Sequence, residues 1–540
     1  MRSLILLAAI AMPAIATAAP VTRAESSNYQ ATSAYADVMA FVRELQKDSP
    51  RIRVETLATS AEGREVPLLV IGAPAPLTPA ELRHDPRAVV YFQANIHGGE
   101  VEGKEAALML ARDLLEGDAA RYLDRLVVLI APLFNPDGNE KISTTNRPMQ
   151  KGPAGGVGDR ANGQNLDLNR DGIKLETPEV RGMVQNVLLR WDPVFFLDSH
   201  THNGSYHEEP VTWVWGLNPN GDPAIFNYMA DTVWPAIEKT MRGRFGTAVI
   251  PHGDFLDAKE PTKGWVPLGP DSYYLSNYVG LRNRLAVLDE QYPYVDFETR
   301  VKGAHAVMLS FLDFLYQNRD AVVALVAGAD QRTIARGHHP TATDVYAIDT
   351  KPERIKRPVT IHGFEMKVTD TGGRYPKVEP TDVKRTYADI PYLAKYVPTR
   401  SVRLPRGYLI NVPDPVLIGK IREHGIAVQR LAQPATAAVE AFSVTKLTGA
   451  PYSMQGHYTS LVTGKYQTRQ VMFPAGSYYV SMAQPLANVA AELLEPESPG
   501  GLVTWNFLDR YLAYQWIPRP MESPVYKLYD AVNLVTDEVP

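Results

Sequence analysis

The sequence predicts an α/β fold: a mixed, largely parallel sheet covered by helices on both faces, followed by a C-terminal β-rich or α+β accessory domain. Two observations point there. Between residues 25 and 335, short continuous apolar runs alternate with segments of helical period, the pattern of strands buried on both faces. Two histidines, His97 and His200, stand at the carboxyl ends of such runs, where ligand sites of α/β sheets lie.

Taken in order, Val38, Met39, Phe41, Val42 and Leu45 mark a helix over 35–45, with strands at Arg53–Thr59 and Val66–Ile71 around the turn Glu62-Gly63-Arg64. Strand Ala88–Ile96, helix Val101–Glu116 and strand Arg125–Pro132 then form a βαβ-like unit. Residues 134–174 are rich in Gly, Asn and Asp, and loops of that length inside a compact domain are usually functional. Thr177 as N-cap with Pro178 after it opens a helix. A buried strand, Pro193–Leu197, runs into Asp198-Ser-His-Thr-His202, an apolar strand is expected over 281–290, and a helix from Ala304 to about Leu325 closes the domain. Over 340–540 proline and polar residues rise. Pro415–His424 reads as a short helix, Ile426–Leu431 as a strand, and Gln470–Met482 as paired strands turning at Ala475-Gly476-Ser477.

With 540 residues, the chain exceeds what one core usually serves. A net charge of −5 with acids and bases interspersed gives no reason to expect nucleic acid or an anionic membrane as partner. Arg2, the apolar stretch Leu4–Ile15 and Ala16-Thr17-Ala18 read as a signal peptide over residues 1–19, cleaved after Ala18 or Ala19, which places the protein outside the cell or in a periplasm. No later segment is long and apolar enough for a membrane span. The absence of cysteine excludes disulfides and thiolate metal ligands.

His97-Gly-Gly-Glu100 brings an imidazole and a carboxylate together beside two glycines that let the backbone bend. A catalytic zinc site needs three protein ligands and an open position, so a third is expected from a distant strand end. His200 is the natural candidate, with His202 and His207 as rivals. Arg170 can grip a carboxylate through its planar fork, and Asn169 beside it can add a hydrogen bond.

These motifs carry a resemblance. Glu62-Gly63-Arg64, His97-Gly-Gly-Glu100, Asn135-Pro136-Asp137-Gly138, Asp167-Leu168-Asn169-Arg170 and Phe196-Leu-Asp-Ser-His200 resemble, in order, motifs of the zinc carboxypeptidase superfamily of the carboxypeptidase A type, over about residues 34–320. The resemblance implies one Zn²⁺ per chain on His97, Glu100 and His200, with Asp167 hydrogen-bonded to the first zinc histidine. It also implies a terminal-carboxylate grip by Asn169 and Arg170, and a general base at Glu290 with Asp289 as rival. Strand alternation lets only one of those two acids face the site. Where the family's N-R-x-x-R pattern has its second arginine this chain has Gln150, leaving Arg147 or Arg160 for the oxyanion. Tyr273, Tyr274 and Tyr278 are candidates for the tyrosine that covers the substrate. The implied activity is a metallocarboxypeptidase acting on peptides with a free C-terminal carboxylate. The alternatives are a zinc deacylase or cell-wall amidase on the same scaffold, and a zinc-containing binding protein without catalysis.

Overall fold

The computed structural model describes residues 19–73, 78–82, 84–202, 204–372, 376–514, 516 and 521–539. The expected signal segment lies, but for its last residue, outside them. Ten short strands belong to the first part of the chain: β1 (Ile52–Thr59), β2 (Glu65–Ile71), β3 (Ala88–Ala94), β4 (Leu126–Ala131), β5 (Phe195–Thr201), β6 (Val211–Trp215), β7 (Val249–Pro251), β8 (Asp254–Phe255), β9 (Trp265–Val266) and β10 (Leu285–Gln291). Eight of them form one sheet in the order β1-β2-β4-β3-β5-β10-β6-β7, and β8 pairs with β9. Pairs β3–β4, β3–β5, β5–β10 and β6–β7 are parallel, while β1–β2, β2–β4 and β6–β10 are antiparallel.

Strands β3, β4 and β5 are buried along their whole length, as continuous apolar runs require in a sheet covered on both sides. Alternation divides their side chains between two cores. Val90 and Phe92 pack with Leu108 of helix Glu102–Glu116 and Phe311 of helix Phe297–His338. Val89 and Tyr91 face the other way, among Val180, Leu275 and Tyr278.

The C-terminal region is built from β11 (Val345–Glu353) paired with β14 (Lys395–Arg403), and β12 (Val359–Thr369) paired with β13 (Lys377–Ile390). A seven-stranded antiparallel sheet follows, from β15 (Gly407–Ile410), β16 (Gln429–Leu431), β17 (Ala435–Gly449), β18 (Ser460–Phe473), β19 (Tyr478–Ser481), β20 (Glu522–Leu528) and β21 (Thr536–Glu538). The second core of the first sheet runs without a break into this region: Leu417, Ile421, Val489, Leu493 and Leu502 belong to the same cluster as Leu275 and Tyr278.

Three elements differ from the sequence expectation. The closing helix starts at Phe297, because Asp296 caps it by accepting from Thr299 N and its buried Arg300 is held 2.6 Å from Glu102, and it runs to His338 through a kink at Asn318. Leu281 ends a helix, Leu275–Leu281, and the strand starts only at Leu285, after Asn283 has turned the chain with φ 60°. The turn at Gly476 exists, with φ 92°, yet the strands flanking it do not pair. Gly476 N donates to Leu431 O and Leu431 N to Ser477 O, so β16 takes hold of the turn and hands the chain to β19, while β18 pairs with β17. Among the described residues no helix is long and apolar enough to cross a membrane.

Candidate active site

The end of β3 starts the site. Asn95, left-handed at φ 61°, donates from Nδ2 to the carbonyls of His97, Gly98 and Glu100, pinning the turn that carries the first motif. The two glycines serve close packing rather than a bend. A Cβ on Gly98 would stand 2.3 Å from the Gly138 carbonyl carbon, and one on Gly99 2.7 Å from Gly158 O. The Asn135–Gly138 turn pressed against them is fixed by Asn135, whose Oδ1 accepts from Gly138 N and whose Nδ2 donates to Ile96 O. Asp137 in turn accepts from Ser60 Oγ, Glu62 N and the Arg64 guanidinium, so the Glu62-Gly63-Arg64 turn braces the same corner.

Strand β5 delivers His200 beside this corner. The ligand atoms of His97, Glu100 and His200 lie within 4.8 Å of one another, and all three side chains are buried. Each imidazole presents Nδ1 to Glu100, at 2.9 Å, and keeps Nε2 for a second acid. His97 Nε2 meets Asp167 Oδ1 at 2.9 Å, and His200 Nε2 lies 3.0 Å from Asp198 Oδ2. That pattern fixes the tautomer and leaves both Nδ1 atoms facing one point. His97 Nδ1 is buried and, although 2.9 Å from Glu100 Oε1, is not aligned for a hydrogen bond to it, as suits two ligand atoms that would converge on one cation. Burial opposes ionisation of Glu100, but His97 and Arg147 outweigh it and hold the carboxyl well below its usual range. Two nitrogens and a carboxylate are a donor set that fits Zn²⁺.

Glu290 stands on β10, in parallel register with His200, and lines the same cleft of about 380 Å³. Its Oε2 is buried with no hydrogen-bond partner, and burial pushes the carboxyl up to about 8. Asp289 points to the other face, where it accepts from Ser199 Oγ and Gln291 Nε2. Asn169 and Arg170 lie on the short turn Leu168–Arg170, capped by Asp167, whose side chain accepts from Asn169 N. Both line the cleft with Tyr274, whose ring centre is 4.5 Å from the Arg170 guanidinium carbon.

The two arginines left open by the sequence part company here. Arg147 is 9% exposed and donates to Glu100 Oε1, Thr201 O and Gln150 Oε1. Arg160 is 42% exposed, lines the cleft, and pairs with Asp167 through Nε at 2.9 Å. Gln150 donates to Gly99 O and supports Arg147. Of the rival histidines, His202 lines the cleft and His207 packs on Tyr292, and burial holds each at about 3, so both are neutral. Neither joins the three-residue cluster. Tyr278 is buried, with its hydroxyl on His424 and Arg282, so it belongs to the core.

Sequence reasoning missed Asp198, although its place two residues before His200 on one strand puts it on the same face. It also missed His252, Asp254, Leu268 and Leu288, which line the cleft. Apart from Leu288 on β10, these come from the region of the two- and three-residue strands β7–β9, which carry no periodic signal.

Comparison with known proteins finds relatives in the family that the motifs resemble. The family model described as zinc carboxypeptidase matches residues 38–171. Carboxypeptidase 2 of Trichophyton rubrum is 24% identical over 531 residues, covering 92% of this chain and 89% of that protein. Carboxypeptidase D of Rattus norvegicus is 28% identical over 211 residues, 33% of this chain and 15% of that one. Among solved structures, a metallo-carboxypeptidase from Burkholderia cenocepacia superposes with a TM-score of 0.39 at 19% identity, covering 53% of this chain and 69% of that one. The chain is thus similar to zinc carboxypeptidases, through the family match over residues 38–171 and, at lower identity, over most of its length. It is an enzyme, a hydrolase of the peptidase class.

Proposed function

We propose that this protein is an exported zinc carboxypeptidase that hydrolyses the last peptide bond of peptides, using one Zn²⁺ on His97 Nδ1, Glu100 and His200 Nδ1. The observation that carries the reading is the meeting, in one cleft, of the His97–Glu100–His200 cluster, the Asn169–Arg170 pair and the unpartnered carboxylate of Glu290. When bound, the zinc ion polarises the scissile carbonyl and lowers the pKa of water.

The chain's own groups divide the remaining work. Arg170 and Asn169 hold the terminal carboxylate and so set the register of the substrate. Glu290 takes a proton from the attacking water and returns it to the leaving amine. Arg160, the cleft-facing guanidinium, offers charge to the developing oxyanion, while Arg147 neutralises Glu100 from behind. Asp167 and Asp198 orient the two imidazoles. Tyr274, on Arg170, is placed to close over the bound end. Residues 25–335 form the catalytic part and 340–540 the accessory part, and residues 1–19 direct export.

N-blocked dipeptides with a free C-terminus and their C-terminal amides test this. Hydrolysis of the free acids alone is expected; equal hydrolysis of both would exclude a carboxypeptidase. Detection of the mature protein in the cytoplasm, with residues 1–19 retained, would exclude export.

A further inference from the structure

The loop that carries Asn169 and Arg170 is held from outside the catalytic part at both of its ends. At one end, Gln455 Oε1 accepts from Asp167 N at 2.9 Å. Gln455 sits at the tip of the β17–β18 connection, in a two-residue turn closed by Met454 N to His457 O and His457 N to Met454 O. Gln455 and Gly456 both have positive φ, 52° and 81°, which fixes the direction in which the Gln455 side chain leaves the turn. At the other end, His457 from the same turn meets both oxygens of Glu176 at 3.0 and 2.9 Å. Lys420 Nζ donates to the carbonyls of Lys174 and Leu175.

The third support of Arg170 leads to the same region. Tyr274 and Tyr273, on which the guanidinium stacks, follow Ser272, whose hydroxyl donates to the buried Glu492 at 2.6 Å. Each contact comes from a residue beyond 415, and none of these residues lines the cleft.

We propose that the C-terminal region is an integral part of the carboxylate-recognition apparatus, and that Gln455 is a positioning residue which sets the Asp167–Arg170 turn from a different sheet. This rests on the reading of Asn169 and Arg170 as the carboxylate grip. Asp167 N–H is the amide that opens that turn, and Gln455 is the group that fixes it. Without the Gln455 oxygen this N–H must turn to water, and the guanidinium three residues further along loses its fixed direction. Chemistry at the metal is buffered from the change, because the Asp167 carboxylate keeps His97, Asn169 N and Arg160 as partners.

The test uses full-length zinc-loaded protein and two variants that remove the acceptor while tolerating positive φ: Gln455→Gly, and Gln455→Asn, whose shorter side chain cannot reach Asp167 N. Gln455→Glu keeps an acceptor at full reach. For an N-blocked dipeptide free acid, both removals are expected to raise KM about tenfold with kcat within about twofold, the size of one lost hydrogen bond. The affinity for the N-blocked product acid, measured by calorimetry, should fall equally, and Gln455→Glu should restore both within about threefold. Unchanged KM and product affinity in both removal variants, or a fall in kcat and zinc content at constant KM, would overturn the proposal. Wild-type protein that does not discriminate a free acid from its amide would overturn the carboxylate grip itself, a different failure.

Discussion

Glu290 and Asp289 are neighbours on one strand and meet opposite fates because side chains alternate: one enters the cleft, the other is spent on Ser199 and Gln291. Glu290→Gln is therefore expected to keep zinc while kcat falls by about 10²–10⁴, the usual contribution of a positioned proton carrier. Unimpaired turnover with metal retained would remove Glu290 from the mechanism. Arg160 and Arg147 make a second contrasting pair. Arg160→Ala should lower kcat by about 10²–10³ with zinc content unchanged, as loss of an oxyanion donor does. Arg147→Ala should instead lower the melting temperature of the metal-free protein, since it leaves the buried Glu100 carboxylate short of a charged hydrogen bond, a cost of about 1.5–3 kcal/mol. Parallel kinetic and thermal measurements on the two variants separate the roles.

The elements were legible in proportion to how local their signals are. Strands β3, β4 and β5 announce themselves as uninterrupted apolar runs because both of their faces are covered. Thr177 and Pro178 mark their helix start because capping is a matter of neighbouring residues. The Gly476 turn was equally readable, but which strands pair across it is decided by β16, some forty residues earlier in the chain, and no local pattern carries that. In the site, the three-residue cluster and the Asn169–Arg170 turn came from motifs. The far wall with His252, Asp254 and Leu268 did not, since it is assembled from very short strands and loops. The role of the motif glycines was also hidden: it depends on what lies across the gap. Gly98→Ala would put a Cβ into the Gly138 backbone, which overpacking arguments place at about 1–3 kcal/mol or more, and a lowered urea midpoint should show it.

At the scale of the molecule, the second face of the first sheet shares its core with the C-terminal region. Leu275 and Tyr278 share a core with Leu417 and Leu493. Residues 19–339 expressed alone should accordingly be insoluble or lack near-ultraviolet circular dichroism; a soluble, cooperatively folded fragment would contradict a shared core. The same seam carries a pH dependence. Its hydrogen bond to Glu176 raises His457, against burial and the nearby Lys174, while His457 and Lys174 lower Glu176 against burial. The His457 contribution is therefore full below the ordinary histidine value of about 6.5 and fades as pH rises through the raised one. The Glu176 contribution is present above the ordinary carboxylate value and fades in acid. His457→Gln should then cost more stability at pH 6 than at pH 9, by about 1 kcal/mol or less for a partly exposed pair. An equal loss at both pH values would show that the pair does not link the two regions electrostatically.

In the proposed reaction a single zinc on His97, Glu100 and His200 drives removal of a residue bearing a free carboxylate. Titration of Zn²⁺ into chelator-stripped protein, with hydrolysis of an N-blocked dipeptide as the readout, puts this to the test. Activity should be absent without metal and rise linearly to a plateau at one zinc per chain. Activity that survives chelation, or a plateau that needs two ions, would contradict it.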